Sequence, residues 1–493
     1  MFKKILIANR GEIAVRIIRT CRDLGLRSVA LYERDDRGSL HVRLADETVE
    51  LKSGQGYLDQ AAVLQAALAT GAEAIHPGYG FLAERLDFIE ACQQAGVVFI
   101  GPPLELMRAQ QDKLAVLNRV RAAGLATVEY SPRSFGEDEL AALRADAERL
   151  GFPLVIKSCL GGRGRGAYSA RSAPQLDRAL RRALAEAQLV YGSTRLYVER
   201  LITPAHLIGV QIIADQFGHS VHLGEREGSL QRGNQKMIEE APAPCLTPAQ
   251  REQVWQMALD IARLFDFRSA GTIEFVGDDA GHFYFTEVKP RIQIEHGVTE
   301  LISAVDIVRE QIRVAAGEPL SVTQAEVQLR GHAISCRITA EDPWRHYLPS
   351  PGVLRRVRLP GGHGLRVETY AYSGCAVPAQ YDPIVVKVMA WGRDRAESVR
   401  RLRRALDEIA LIGLTTTLPI QQLIVRHPEF VSAQYNTDSL RRDLPEDALS
   451  EAEARDLAVA VAIAYTRRTL AGQPSLPERW QTGWHRSSRR LPE

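Results

Sequence analysis

Between Phe285 and His296 the chain sets Glu287, Lys289, Arg291, Gln293 and Glu295 at alternate positions, packing acid, base and amide into a few residues. Burying so many charges costs hydration unless each one finds a metal, a counter-ion or a substrate. Tyr284, Phe285 and Val288 are interleaved with these residues, which gives one face of an extended segment to the core and the other to a site. The stretch follows a strand-like segment ending in Glu274. Cross-strand pairing would bring the Glu274 and Glu287 carboxylates onto one face, where they repel unless a proton or a divalent cation joins them. Magnesium bridging phosphate oxygens is the natural occupant.

A second segment, Lys157-Ser-Cys-Leu-Gly161-Gly162-Arg163-Gly164-Arg165-Gly166, sets glycines beside cations. Glycine lets backbone N–H groups approach phosphate oxygens, and lysine or arginine balances the charge of a transferred phosphoryl group. The segment matches neither GxxxxGK[ST] nor a dinucleotide GxGxxG, so a P-loop and an ordinary dinucleotide fold are disfavoured. Alone it is a weak signal, with a flexible loop as the alternative. Lys113 and Lys157 stand near the two edges of the lid to which this segment belongs, and Glu199 opens a return segment, Glu199-Arg200-Leu201, where a nucleotide base could meet backbone groups.

These residues need elements to position them. Lys4–Ala8, Ser28–Tyr32 and Ala74–His76 are apolar β runs alternating with helical spacing at Ile13, Ile17, Ile18, Cys21 and Leu24, which predicts a parallel α/β sheet to about residue 112. The glycines of His76-Pro-Gly78-Tyr-Gly80-Phe81 mark a loop at a strand end, where doubly wound sheets place ligands; a turn without a ligand explains them almost as well. A helix from Lys113, strands at Phe152–Lys157 and Arg195–Glu199 and a helix over Gln175–Gln188 read as a small α/β lid. Residues 205–300 are strand-rich with one long helix, Pro248–Phe265, and Gly331–Gly392 holds short strands followed by a helix over Arg395–Ile409. Leu449–Leu470 has an amphipathic helix pattern, and Pro474–Glu493 is a polar, basic tail.

At 493 residues the chain is long enough for two to four domains. Its 62 Lys and Arg against 60 acidic residues give no electrostatic reason to expect nucleic acid or an anionic membrane. The six cysteines form no CxxC pair, which fits free thiols in a reducing cytosol. No apolar run is long enough to span a bilayer and no signal-peptide pattern opens the chain, so a soluble cytoplasmic protein is expected.

Asn9-Arg-Gly-Glu-Ile-Ala14, His76-Pro-Gly-Tyr-Gly-Phe81, Gln235-Lys236-Met-Ile-Glu-Glu-Ala-Pro-Ala-Pro244, Arg291-Ile-Gln-Ile-Glu295 and Arg337-Ile-Thr-Ala-Glu-Asp-Pro343 resemble, in family order, the biotin carboxylases among the ATP-grasp enzymes. The resemblance runs to about residue 440. It implies an α/β (α+β overall) chain: a doubly wound parallel domain over 1–112, an ATP-grasp domain over 113–327 with a mobile lid at about 131–203, a small β-rich C-terminal domain over 328–442, and a helical extension and tail over 443–493. It also implies that ATP phosphorylates bicarbonate to carboxyphosphate, and that the carboxyl group then passes to biotin on a separate biotin carboxyl carrier protein. By the same resemblance Lys113, Lys157, Gly161, Gly162, Gly164, Arg165, Gly166, Glu199, Gln231 and Lys236 would hold ATP. Glu274 and Glu287 would bind Mg2+ or Mn2+. Lys236, Arg291, Gln293 and the backbone of Ile294 would hold bicarbonate, Glu295 would deprotonate it, and Arg337 would stabilise the biotin enolate. A bicarbonate anion needs positive charge around it and a carboxylate base at its hydroxyl, so Arg291 and Glu295 also suit these tasks on chemistry alone. Carboxyltransferase partners and a homodimer are implied too, in an assembly of the acetyl-CoA carboxylase type that serves fatty acid biosynthesis. No Ala-Met-Lys-Met biotin-accepting segment occurs in the chain.

The departures cluster on the nucleotide and metal side. Lys289 stands where the family has asparagine beside its second metal-binding glutamate, Asn234 replaces a histidine, and Leu160, Arg163 and Ala167 alter the glycine loop. Around His206 the spacing is one residue longer than in the family, and Gly209 falls where a glutamate is expected, so His206 receives no role. An ammonium cannot ligate magnesium and competes with it for Glu287. Two alternatives to an active biotin carboxylase follow: a non-catalytic homologue that scaffolds a carboxylase, and an ATP-grasp ligase acting on another amide or urea.

Overall fold

The apolar runs near the N-terminus pair, as their alternation with helices predicts, into a five-stranded parallel sheet in this computed structural model, which describes residues 1–160, 167–233, 235–439 and 459. Its strand order is Glu47–Glu50, Arg27–Tyr32, Lys4–Ile7, Ala74–His76, Val98–Phe99. The order reverses between Lys4–Ile7 and Ala74–His76, which opens a crevice at their C-terminal ends. Two loops meet there: Asn9 Nδ2 donates to the carbonyls of Pro77 (2.7 Å) and Tyr79 (2.8 Å). Gly78, at φ +60°, comes so close that a Cβ would stand 2.9 Å from Asn9 Nδ2. That glycine therefore serves a loop-to-loop contact.

The expected lid is a three-stranded antiparallel sheet, ordered Ala167–Ala170, Leu154–Ser158, Leu196–Arg200. Helices Leu140–Leu150 and Ala173–Tyr191 cover it. The second helix is longer than the expected Gln175–Gln188, because Pro174 sits in its first turn and it continues until Gly192 turns left-handed at φ +64°. Phe135, Leu143, Leu154, Ile156, Leu176, Leu180 and Val198 give this module a hydrophobic core of its own.

An eight-stranded antiparallel sheet dominates the rest, ordered Phe283–Lys289, Ser269–Gly277, His206–Ala214, Ser220–Glu227, Ile238–Ala241, His332–Thr339, Ile384–Gly392, Leu365–Thr369. It does not stop between the second and third regions: Glu239 pairs with Ser335 and Ala241 with Ala333. Helix Pro248–Leu264, opened by a Thr247–Gln250 capping box, packs Val254, Met257, Ala258 and Ile261 into the core with Ile273, Phe275 and Phe285. Helix Lys113–Ala122 adds Leu114, Leu117 and Val120 to the same core. Helix Arg395–Glu408 ends one residue before the expected Ile409.

The residues described up to Ser439 belong to one compact unit, and the chain divides from it after Asp443. Beyond that point only Val459 is described, so the expected helix Leu449–Leu470 and the tail Pro474–Glu493 lie outside the described residues.

Candidate active site

The strand bearing Glu274 runs on to Gly277 rather than ending at Glu274, and it pairs with Phe283–Lys289 through an irregularity that decides the chemistry. Phe275 faces Phe285 and Glu274 faces Glu287, so Thr286 is an extra residue, a β-bulge. With strict alternation Glu287 would share the core face of Phe285. The bulge instead turns Glu287 to the site and Val288 to the core, and Thr286 Oγ1 secures it by donating to the Glu274 carbonyl at 3.0 Å. Tyr284, expected to share the core face, is half-buried and packs instead against a separate cluster with Val128 and Val276.

Arg226, Gly209, Glu274 and Glu287 form a row across four neighbouring strands. Gly209 leaves the row open, and the buried Arg226 guanidinium donates to Gln211 Oε1 (2.8 Å), Thr299 Oγ1 (2.7 Å), Thr272 Oγ1 (2.8 Å) and Gln293 Oε1 (2.7 Å). Gln293 in turn donates to Glu274 Oε1 at 2.8 Å. The two carboxylates of the hairpin thus face each other, and each is engaged by a cation. Lys236 Nζ is 3.1 Å from Glu274 Oε1, and Lys289 Nζ is 2.7 Å from Glu287 Oε2. Lys113 Nζ lies 3.9 Å from the same Glu287 oxygen. Burial opposes ionisation of Glu287, but Lys289 and then Lys113 overcome it and hold the carboxyl below the usual range. Burial pushes Lys113 down despite Glu287. Lys289 is raised, because Glu287 and Glu274 outweigh its burial.

Pro290 ends the strand, and the chain crosses the site to helix His296–Ser303. Ile292, fully buried, anchors this crossing. Arg291 pairs with Glu84, whose carboxyl it holds below the usual range against the effect of burial. The carbonyl of Ile294 accepts from Lys387 Nζ at 2.9 Å. Glu295, last before the helix, takes Lys236 Nζ on Oε1 at 2.7 Å and Arg337 on Oε2 at 3.0 Å. Burial opposes its charge, yet Lys236, Arg337 and Arg226 hold its carboxyl well below the usual range. Arg337 also pairs with the buried Glu239. Gly228 admits Lys236: a Cβ there would stand 2.8 Å from Lys236 Cδ.

On the lid, Lys157 Nζ is 2.6 Å from Glu199 Oε2, joining the central strand to its neighbour. Gln231 donates to the Gly228 carbonyl at 3.0 Å on the turn leading to Lys236. Gly161, Gly162, Gly164, Arg165 and Gly166, with Arg163 and Asn234, lie outside the described residues. His206, without a role in the sequence reading, pairs with the buried Glu227 at 2.7 Å, where Ser229 Oγ also donates.

Lys236, Glu274, Gln293, Glu295 and Arg337 thus form one connected network, and Glu287, Lys289 and Lys113 a second beside it. Lys157 and Glu199 belong to the lid, and Arg291 turns to Glu84. Sequence reasoning missed Arg226, Glu84, Glu239 and Lys387. A signal for Arg226 existed: Glu225, Arg226 and Glu227 are three consecutive charges at the end of the strand Ser220–Glu227, and all three are buried. Lys387 binds Glu12 (3.0 Å) and Glu368 (2.6 Å) from segments far apart in the chain, which no local spacing announces.

Comparison with known proteins follows the same three regions. Residues 1–107 match the family described as biotin carboxylase, N-terminal domain. Residues 112–323 match carbamoyl-phosphate synthase L chain, ATP binding domain, and residues 335–442 match biotin carboxylase C-terminal domain. A biotin carboxylase of Pseudomonas aeruginosa is 42% identical over 450 residues, covering 91% of this chain and 100% of the relative. A pyruvate carboxylase subunit of Methanothermobacter thermautotrophicus is 41% identical, covering 90% of this chain and 91% of that protein. The solved biotin carboxylase domain dimer of Hydrogenobacter thermophilus 2-oxoglutarate carboxylase, in complex with MgADP, ADP and bicarbonate, superposes with a TM-score of 0.88 at 39% identity, over 92% of this chain and 100% of that one. On sequence, domain order and fold together, the chain belongs to the biotin carboxylase family.

Proposed function

We propose that this protein uses ATP and bicarbonate to carboxylate biotin held on a separate carrier protein. The observation that supports this reading most is Lys236, whose ammonium stands between Glu274 on the hairpin and Glu295 at the helix start while Arg337 holds the other Glu295 oxygen. One side chain thereby links a site for phosphate and metal to a site for an anion and its base.

In this reading Lys113, Lys157, Glu199, Gln231 and Lys236 bind ATP together with the glycine loop Gly161, Gly162, Gly164, Arg165 and Gly166. Arg291, Gln293 and the backbone of Ile294 seat bicarbonate, and Arg337 faces biotin. Glu274 and Glu287 offer hard oxygen donors that suit Mg2+ or Mn2+, although Lys289 already engages one Glu287 oxygen. The bound metal would supply positive charge at the phosphate oxygens. Bicarbonate loses its hydroxyl proton to Glu295, and its oxygen attacks the γ-phosphorus as the bond to ADP breaks, which forms carboxyphosphate. The bond from the carboxyl carbon to the phosphate oxygen then breaks and releases phosphate, which takes the ureido N–H proton of biotin as the carboxyl group passes to that nitrogen. Lys236 and Arg337 keep Glu295 weakly basic in the free protein; when they turn toward an incoming anion, Glu295 regains basicity where the proton must be taken.

The division into 1–112, 113–327 with its lid at 131–203, 328–442 and 443–493 is part of the same proposal, supported by the three matching family regions. So is a homodimer working with a biotin carboxyl carrier protein and carboxyltransferase subunits in an acyl-CoA carboxylase, the acetyl-CoA enzyme of fatty acid biosynthesis being one form. Two relatives support it, one working as part of a pyruvate carboxylase and the other solved as a carboxylase domain dimer. We place the protein in the cytoplasm, away from membrane and nucleic acid. Its cysteines are free, and no helix among the described residues is long and apolar enough to cross a membrane.

ADP release with and without bicarbonate and free biotin tests the reading. Bicarbonate should raise the rate, and Glu295→Gln should lower that increment by about 10²–10⁴-fold. A parent rate that ignores bicarbonate contradicts the reading. The Lys289 to Glu287 contact favours a second one, a carboxylase scaffold without turnover, which such inertness would support.

A further inference from the structure

Glu274 and Glu287 are register partners on neighbouring strands, the arrangement by which a phosphoryl-transfer site would hold two divalent ions against a chain of phosphates. Each already meets an ammonium: Lys236 reaches Glu274 from another strand, whereas Glu287 meets one from its own. Lys289 follows Glu287 on the same strand and places Nζ 2.7 Å from Glu287 Oε2, with only 13% of its side chain exposed. This is no surface lysine that visits a carboxylate in passing. Pro290 fixes the end of its strand, and the electrostatic field at its ammonium includes Glu287, Glu274 and Glu84.

A metal seeking both oxygens of Glu287 must evict an ammonium from a buried position, leaving that charge without its partner. An ammonium has three N–H donors and no lone pair. It cannot ligate the metal, but it can do what a second metal does for a phosphate, which is to place a positive charge at an anionic oxygen. Resting on the proposed ATP chemistry, we propose that Lys289 is a built-in substitute for one divalent ion, so that this protein binds its nucleotide with a single Mg2+ where the paired carboxylates would otherwise recruit two.

Counting Mn2+ bound to the full chain in the presence of a non-hydrolysable ATP analogue, by the loss of the free Mn2+ electron paramagnetic resonance signal, tests this. The parent should bind one Mn2+ per nucleotide, and Lys289→Asn, which exchanges the ammonium for a carbonyl ligand, should bind two. Lys289→Met offers neither charge nor ligand. With Glu287 freed it should also take up a second Mn2+, and at Mn2+ levels that fill only one site it should bind the analogue about tenfold or more weakly, the size of a lost charge-assisted hydrogen bond. Melting curves of all three proteins establish that they are folded. Two Mn2+ on the parent, or the same count on parent and Lys289→Asn, overturns the role of Lys289 while leaving the ATP reading intact. A folded parent that binds neither Mn2+ nor nucleotide overturns both.

Discussion

Lys387 shows what a single buried charge does in this molecule. Its ammonium, 1% exposed, meets Glu12, Glu368 and the carbonyl of Ile294, next to the proposed base Glu295. Lys387→Met keeps the volume but leaves the buried Glu12 without a cation and Glu368 with Arg366 and Arg16 only, and should cost about 3–5 kcal/mol in denaturant unfolding. A loss under about 1 kcal/mol would show that water or another cation reaches them. Part of the site is legible in residue types, as with Glu274, Gln293 and Glu295, and part only through the family resemblance, as with Lys236 and Arg337; all five stand together. Arg226, Glu84 and Lys387 were read from neither, because each works through a partner distant in the chain. A lysine within the apolar run Ile384–Gly392 has no helical or strand periodicity to mark it as a site residue.

At the scale of elements, the bulge at Thr286 matters more than any one contact. It lets Phe285 and Val288 enter the core on either side of a carboxylate that faces the site. Thr286→Ala keeps the residue count and loses one hydrogen bond, an expected cost of about 1 kcal/mol. Deleting Thr286 slips the register by one and drives Glu287 toward the core, so thermal melting should show a loss several times larger. Equal losses would mean that the bulge does not set the faces. The charged run announced a strand, yet alternation alone could not place both Phe285 and Val288 in the core. The extra residue becomes visible only once the partner strand fixes the pairing. Helix limits were legible where a cap is written in the sequence, as with Thr247 and Pro248, and less so at Leu264 and Tyr191, where the end depends on the turn that follows.

At the scale of the molecule, one antiparallel sheet runs from the hairpin bearing Glu274 and Glu287 to Leu365–Thr369, tying the third region to the second. Buried ionisable groups pin the fold and give it a pH dependence. Burial pushes His41, His222 and His296 down to about 4 and His76 to about 3. Against the effect of burial, His332 and Arg395 hold Glu240 at about 2, and Arg16, His296 and Arg366 hold Glu300 at about 2. Unfolding returns these groups to ordinary values near 6.5 and 4.5; burial holds Glu12 up at about 7 and so opposes them, but they outnumber it, so the unfolded chain binds more protons and stability falls as the pH drops. The decline should begin below about pH 6.5 and steepen below about 4.5, each carboxylate contributing about 3 kcal/mol that is lost by about pH 2. Melting temperatures across this range check it: Glu240→Gln should flatten the acid limb, and a parent curve level from about pH 7 to about pH 4 would contradict the assignment. The central claim, that the Lys236, Glu295 and Arg337 network serves carboxyl transfer, is tested most directly by following labelled bicarbonate into acid-labile carboxybiotin. Label should enter biotin, require ATP and a divalent metal, and disappear in Glu295→Gln; ATP hydrolysis without label in biotin, under conditions where the protein is folded and binds nucleotide, would contradict the claim.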